Sequence, residues 1–184
     1  MLDEFVRRAS AGDREAFDSL ASARIDRLYA IARRVLRDPT GAEDAVQDCL
    51  VRAWRDLRGL REPARFDAWL YRLLLNACRD ELRRARRRPV QVSSVGLEPA
   101  DRTDGFTRVD ERDQLERGFQ MLSPEHRMAL VLHHYLGLRP AEVANVLGVP
   151  LGTATSRLHY GARSLRRALE GELSPRSVGS GGEP

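Results

Sequence analysis

The sequence predicts an all-α protein with two small helical domains joined by a flexible linker. Apolar residues recur at helical spacing through most of the 184 residues, and no alternation typical of a strand lasts for more than a few positions. Between Pro89 and Thr107 this pattern stops, and Pro, Gly, Ser and Asp replace apolar residues, as in a linker. We expect domains at residues 1–88 and 109–173, a linker at 89–108 and a disordered tail at 174–184.

The first domain is expected to be a four-helix bundle. Its first helix begins near Arg14 with Asp13 as cap, and its second ends near Asp38-Pro39. Thr40 opens the third helix, because a glutamate three residues later completes a capping-box pattern.

The fourth helix follows a loop at residues 58–65 and runs from Phe66 to about Arg87. In the last two helices of this domain an apolar stripe is expected to face the core, enough for a compact bundle. The stripe residues are Ala42, Val46, Cys49, Leu50, Ala53, Leu57, Phe66, Trp69, Leu70, Leu73, Ala77 and Leu82.

The second domain contains the most specific local motif, from Pro140 to Leu158. A short helix with an apolar face is followed by Gly148, where a tight turn needs a residue that tolerates positive φ, and Pro150 suits the first position of the next helix. This pattern predicts a helix-turn-helix, whose second helix normally enters the major groove of DNA. Its inward residues are expected to be Ala154, Leu158, Ala162, Leu165 and Leu169.

Composition excludes several other classes. With 42% apolar residues the chain is expected to be globular. No stretch approaches the roughly 18 apolar residues of a membrane span, and the N-terminus lacks a secretory pattern, so we expect a cytoplasmic protein without membrane insertion.

Cys49 and Cys78 fit no metal motif and are interpreted as buried hydrophobes. We expect no cofactor, no metal site and no catalytic residue.

The motif of each domain, taken in order, resembles one family. Residues 43–54, Glu-Asp-Ala-Val-Gln-Asp-Cys-Leu-Val-Arg-Ala-Trp, resemble region 2 of bacterial sigma factors of the sigma-70 family, and residues 66–72 with Asn76 continue the match. Gly152-Thr153 and Ser156-Arg157-Leu158-His159 are similar to region 4. The absence of regions 1.1 and 3 is typical of the extracytoplasmic-function (ECF) branch. The resemblance implies an alternative sigma factor that binds core RNA polymerase and promoter DNA and promotes DNA melting.

This resemblance implies a docking surface on the third predicted helix. Its polar side would bind the clamp helices of the polymerase β′ subunit, and the second domain would lie near the β flap. Considered alone, the same polar stripe is an ordinary solvated surface. The candidate polymerase-binding residues are Glu43, Asp44, Gln47, Asp48, Arg52 and Trp54.

The fourth predicted helix carries arginines and an asparagine along one face. Such a cationic face, bordered by Phe66, Trp69 and Tyr71, is suited to hold an unwound strand through phosphate contacts and stacking. The resemblance implies that this helix and the preceding loop capture a base of the melted −10 element. The candidate −10 residues are Arg61, Arg65, Arg72, Asn76, Arg79 and Arg83.

The outer side of the last helix is expected to contact the −35 duplex. The segment from Arg139 to Glu170, which includes most of this helix, contains five arginines and two acidic residues and is therefore net positive. Thr155 and Tyr160 stand where the family often has basic residues, and Gly161 where alanine is common, so guanine recognition by arginine is not expected there. The candidate −35 residues are Thr153, Thr155, Ser156, Arg157, His159, Tyr160 and Arg163.

Two other classes fit parts of the chain. A free-standing helix-turn-helix regulator would need a ligand or phosphoacceptor domain and usually a dimer interface. An enzyme built on Glu125, His126, His133 and His134 would need a third convincing metal ligand, and the adjacent His133 and His134 are expected to point apart. Because no sensory domain is appended, we hypothesise control by a separate anti-sigma factor.

Overall fold

The computed structural model describes residues 1–87, 117–119 and 121–173. Regular structure within these ranges is helical throughout, which confirms the predicted all-α fold with two domains. The expected linker and tail lie outside the described residues. Within these ranges the α-helices with defined bounds are α1 Leu2–Ser10, α2 Arg14–Ser22, α3 Ile25–Leu36, α4 Pro39–Asp56, α5 Phe66–Arg87, α6 Pro124–Leu130, α7 Pro140–Leu147 and α8 Leu151–Leu173.

Helix α1 precedes the four helices predicted for the first domain. It is short, and only Val6 and Ala9 are fully buried, so its apolar stripe is too sparse to be recognised among charged residues. It packs against α2, and its acidic residues in the first turn and basic residues in the last turn suit the helix dipole.

The helix ends show which capping predictions were correct. Asp13 caps α2, since its Oδ1 accepts a hydrogen bond from the backbone N–H of Ala16 at 3.0 Å. The capping box predicted at Thr40 is wrong: α4 already begins at Pro39, with Asp38 as its cap residue. Proline has a fixed φ suited to the first helical position, where no N–H is needed.

The core of the first domain lies where α4 and α5 pack together and α3 packs against both. Most of the predicted stripe is buried, but Leu50, Trp69, Leu73 and Leu82 are only partly buried at its edge. The predicted stripe on α5 was also incomplete, because this helix contacts α3 and α4 and also α7 of the second domain. The additional core residues on α5 are Tyr71, Leu74, Leu75 and Cys78.

The second domain has the predicted helix-turn-helix in α7 and α8. Gly148 lies between them with φ 68° and ψ 38°, the left-handed conformation expected from the sequence. Pro150 precedes the first residue of α8 rather than occupying it. Ala162 is exposed, contrary to the prediction, because the buried line of α8 continues through Gly161, whose backbone lies against Leu130.

Candidate protein and nucleic-acid interfaces

Helix α4 presents an exposed stripe opposite the bundle core. Glu43, Asp44 and Gln47 are exposed, as predicted for a docking surface. Trp54 is 41% exposed and its ring packs on Phe17, with centroids 5.1 Å apart. Val51, which the sequence pattern did not single out, is 61% exposed on the same side. In the sequence, Val51 could be recognised only as an aliphatic residue off the apolar stripe. In the structure, Val51 gives this face of α4 an apolar centre.

Asp48 and Arg52 have a different position from the other docking candidates. Arg52 binds Asp48 through Nε and Nη2, at 3.2 and 2.6 Å, and its Nη2 also reaches the Asp80 Oδ2 at 2.9 Å. Burial opposes ionisation of Asp80, but hydrogen bonds from Arg52 and Arg83 outweigh it and lower its pKa. These ion pairs join α4 to α5, so Asp48 and Arg52 stabilise the bundle at the rim of the exposed stripe.

The loop before α5 consists of two short 3-10 turns, Leu57–Gly59 and Pro63–Arg65. Arg61 and Arg65 are both exposed, and Arg65 forms an ion pair with Glu62 at 2.7 Å. Such an exposed pair is weak and easily exchanged for a phosphate.

On α5 the four predicted −10 residues lie along one side but differ in surroundings. Asn76 accepts a hydrogen bond at its Oδ1 from Arg79 Nη1 at 2.7 Å. Burial lowers the pKa of Arg79, and the nearby charge of Arg157 lowers it further. Arg83 is exposed and pairs with Asp80, while Arg72 extends toward Gly148.

The stacking role expected for two aromatic residues of α5 is wrong. Phe66 is 1% exposed and Tyr71 is 7% exposed, because both belong to the bundle core. Trp69 is only partly buried and its ring contacts Phe66, with centroids 6.0 Å apart. Trp69 is therefore the one of the three that retains an accessible ring face.

The outer side of α8 is accessible along several turns. Thr155, Ser156, His159, Tyr160 and Arg163 are exposed, while Thr153 and Arg157 are half-buried. The hydroxyl of Thr155 donates to the Leu151 carbonyl of its own helix at 3.0 Å, and the rings of His159 and Tyr160 meet edge-to-face at 5.5 Å. The exposed side of α8 thus offers mainly hydroxyl, imidazole and phenol groups rather than a row of guanidinium groups.

The glycine at position 161 has a packing reason. A Cβ there would lie 3.2 Å from Leu130 and 3.3 Å from the Cβ of His126, closer than ordinary contact. This close approach lets α8 pack directly on α6. The absence of a side chain at Gly161 thus serves the packing of the domain core.

The prediction that His133 and His134 point apart is wrong. Residues Val131–Tyr135 form a π-helical turn, in which neighbouring residues are separated by a smaller angle than in an α-helix. The rings of His133 and His134 consequently meet edge-to-face at 4.7 Å. His133 Nδ1 is 2.7 Å from the Leu138 carbonyl oxygen, and the described residues contain no group of three side chains placed to hold a metal.

Both cysteines are buried thiols, as predicted. Burial raises the pKa of Cys49 and of Cys78 to about 12 in each case. Among the described helices, none combines the length and the apolarity needed to cross a bilayer.

Known proteins share both parts of this architecture. Residues 20–88 match the family model for sigma-70 region 2, and residues 112–165 match that for sigma-70 region 4. The ECF RNA polymerase sigma factor SigM of Mycobacterium tuberculosis is 36% identical over 166 residues, which covers 90% of this chain and 83% of SigM.

Solved structures agree in fold. CnrH, solved in complex with the cytosolic domain of CnrY, superposes with a TM-score of 0.68 at 26% identity and covers 93% of this chain and 98% of its own. The sigma factor RpoE of Bartonella quintana, solved with the anti-sigma factor NepR, has a TM-score of 0.68 at 24% identity over 84% of this chain and 96% of its own.

The bundle and the helix-turn-helix therefore define a bacterial transcription initiation factor. The chain belongs to the sigma-70 family, in its ECF branch, and functions as an alternative sigma factor. The free-standing regulator considered above is not favoured, because the bundle that precedes the helix-turn-helix is itself a sigma region.

Proposed function

We propose that this sigma factor binds core RNA polymerase through α4, contacts the −35 duplex through α8, and stabilises the melted −10 strand through α5 and its loop. The observation that carries the proposal is that one chain exposes a mixed apolar and acidic helix face in one domain and the outer side of a recognition helix in the other. Two weak sites on one chain reinforce each other when polymerase holds both near one promoter. The site of action would be the cytoplasm, where polymerase is found.

The polymerase-binding surface is narrower than the predicted residue set. We assign Glu43, Asp44, Gln47, Val51 and Trp54 to the contact with the β′ clamp helices, with Asp48 and Arg52 holding the rim in place through Asp80. The exposed Val51 and Trp54 supply the apolar centre that protein interfaces usually have.

A pair of matched substitutions tests this surface. Val51→Asp places a charge in the proposed apolar centre, whereas Ile25→Asp changes another exposed aliphatic residue, 43% exposed, on a different helix. We expect Val51→Asp to weaken binding to core polymerase by about tenfold or more and Ile25→Asp to leave it unchanged. Equal binding by both variants in a fluorescence titration with core enzyme would remove α4 from the interface.

For the −10 element we propose that Asn76 and the loop arginines Arg61 and Arg65 contact the unwound strand, with Arg72, Arg79 and Arg83 bound to phosphates. Asn76 offers both a donor and an acceptor to a base edge. Asn76→Ala should impair promoter opening, followed by permanganate reactivity of unpaired thymines, more than it impairs polymerase binding. The control is Asn145→Ala, an exposed asparagine on α7; loss of opening and polymerase binding in equal measure by Asn76→Ala would reject this role.

For the −35 element we propose contacts from Ser156, His159, Tyr160 and Arg163, with Thr153, Thr155 and Arg157 at the edge of the interface. Each good base contact contributes about 1–3 kcal/mol of discrimination. Ser156→Ala should reduce the preference of the holoenzyme for its own −35 sequence over a scrambled one. Ser164→Ala, two turns further along α8, is the control and should not.

We also propose that a separate anti-sigma factor regulates the chain by covering these surfaces. The structural similarity to CnrH, which was solved in complex with the cytosolic domain of CnrY, supports a bound protein partner. We also propose that the two domains span residues 1–88 and 109–173, and the proposal assigns no catalytic step to any residue. Co-purification of the tagged chain from its host, with and without Val51→Asp, tests whether such a partner shares the α4 face.

A further inference from the structure

The start of helix α8 exposes a large apolar side chain. Leu151 is the first residue of α8 and is 53% exposed. Pro150 before it and Gly152 after it are also exposed, and a Cβ at Gly152 would meet nothing from another part of the described structure within 4 Å. A single exposed leucine is common on a protein surface. This one, however, stands at the N-terminal end of a recognition helix, where side chains normally read base edges in the major groove.

Thr155 continues the exposed side of α8 one turn later. Residues four apart in a helix lie on the same side, and Thr155 is exposed like Leu151. The Thr155 hydroxyl donates its single proton to the Leu151 carbonyl at 3.0 Å. This hydroxyl therefore has no proton left to donate to a base, and the methyl group is the part of the side chain that remains for contact. Leu151 and the Thr155 methyl group thus follow each other as two apolar groups.

The first two turns of α8 lack the side chains that read the other three bases. Guanine is read mainly by Arg or Lys, adenine by Asn or Gln, and cytosine by Glu or Asp. Residues 151–158 contain none of these apart from Arg157. Thymine differs from the other bases in its C5-methyl group, which apolar side chains and the threonine methyl group contact in the major groove.

Arg157 does not share the exposed side of Leu151 and Thr155. Helical spacing places it on another side of α8, and it is half-buried. Burial and, second to it, the nearby charge of Arg157 lower the pKa of Arg79, so Arg157 lies near α5. The exposed side at the start of α8 is therefore uncharged, and its two apolar groups match the chemistry of thymine.

We propose that Leu151 and Thr155 determine specificity by contacting the C5-methyl groups of two thymines in the −35 element. The inference rests on the proposed contact of α8 with the −35 duplex and adds the base that the start of this helix selects. Residues four apart rise by about 6 Å along a helix, and base pairs are about 3.4 Å apart. The two thymines consequently lie in adjacent base pairs or one pair apart, on either strand.

Deoxyuridine substitution tests the proposal, because it removes only the methyl group of thymine and keeps base pairing and every hydrogen-bonding group. Holoenzyme is assembled from core polymerase and the full-length chain, and its affinity is measured for a promoter fragment that it transcribes. Each −35 thymine on either strand is replaced in turn. We expect a loss of about fourfold at two positions, the value of one methyl group removed from water. A −35 element without thymine on either strand would overturn the proposal.

Matched variants assign each methyl contact to a residue. Thr155→Ser keeps the hydroxyl and removes the methyl group, whereas Thr155→Val keeps a methyl group and removes the hydroxyl. Thr155→Ser should bind thymine and uracil equally at one position, and Leu151→Ala should do so at the other. Thr155→Val should retain both differences. Both residues are exposed, so thermal unfolding of the variants should match that of the unmodified chain. Loss of a difference in Thr155→Val but not in Thr155→Ser would assign the contact to the hydroxyl and overturn the methyl readout.

The outcomes distinguish this inference from the proposed function on which it rests. A holoenzyme that prefers its own −35 sequence over a scrambled one, but binds thymine and uracil equally at every position, would overturn the methyl readout alone. A holoenzyme without any preference for its −35 sequence would overturn both the readout and the −35 contact of α8.

Discussion

Replacing Gly148 by alanine should destabilise the second domain through the backbone. Gly148 has φ +68°, and the left-handed conformation costs a residue with a Cβ about 1–2 kcal/mol. The new methyl group would also lie 2.9 Å from Arg72 Nη2, but that is the end of a flexible side chain and can move aside. We therefore expect the free energy of unfolding to fall by about 1–2 kcal/mol, which lowers Tm by roughly 2–8 °C for a cooperative unit of about 150–250 residues.

Two other glycines provide matched controls in the same domain. Gly137 has φ +70° but open space around its Cβ position, so Gly137→Ala should cost as much as Gly148→Ala if backbone strain is the cause. Gly152 is helical with open space, so Gly152→Ala should be neutral or stabilise by up to about 1 kcal/mol. The assay is urea unfolding followed by circular dichroism at several temperatures. If Gly148→Ala is as stable as Gly152→Ala, the argument from backbone strain is refuted.

Three other substitutions or treatments have defined outcomes. Asp80→Asn should cost about 1 kcal/mol after allowing for partial exposure; because the folded-state pKa of Asp80 is lowered from 3.8, its contribution is complete above that pH and lost as the pH falls through the lowered value. Urea unfolding at neutral and acid pH should therefore show that the variant loses less stability on acidification than the unmodified chain. An equal loss of stability in both proteins would contradict this expectation. Gly161→Val should destabilise by about 1–3 kcal/mol through overpacking against α6, whereas the exposed Ala162→Val should change little in thermal unfolding. Cys49 and Cys78 should react with a thiol reagent only when urea unfolds the chain, since both are buried with pKa values raised to about 12; fast reaction of the native protein would show that the bundle is looser than described.

The features that could be predicted from the sequence are those that depend on residues close together in the chain. The turn at Gly148, the cap at Asp13 and the start of α5 at Phe66 follow from conformational preferences and hydrogen bonding within a few residues. The Thr40 box failed because Pro39 competes for the same helix start, and a proline at the first position outweighs a possible side-chain cap.

Contacts between distant segments could not be predicted in this way. Tyr71 was expected at a nucleic-acid surface but is buried, because α5 is covered on more than one side. Arg52 was expected to face polymerase but pairs with Asp80, 28 positions away. The meeting of Arg79 with Leu147 requires the placement of one domain on the other, which no periodicity encodes.

The exposed sites were partly predictable. Glu43, Asp44 and Gln47 are exposed because they alternate with the buried stripe of α4 at helical spacing. Val51 was missed because an aliphatic residue off the apolar stripe is a weak signal in a single sequence, whereas its 61% exposure next to Trp54 is clear in three dimensions. Whether these residues bind polymerase stays a prediction.

The most direct test of the central proposal is run-off transcription with purified core RNA polymerase and a panel of promoter fragments from the host genome. The chain should co-migrate with core enzyme on size exclusion and produce transcripts from a subset of fragments, and Val51→Asp should reduce both in parallel. A purified, folded chain that neither joins core polymerase nor yields a promoter-dependent transcript would contradict the account.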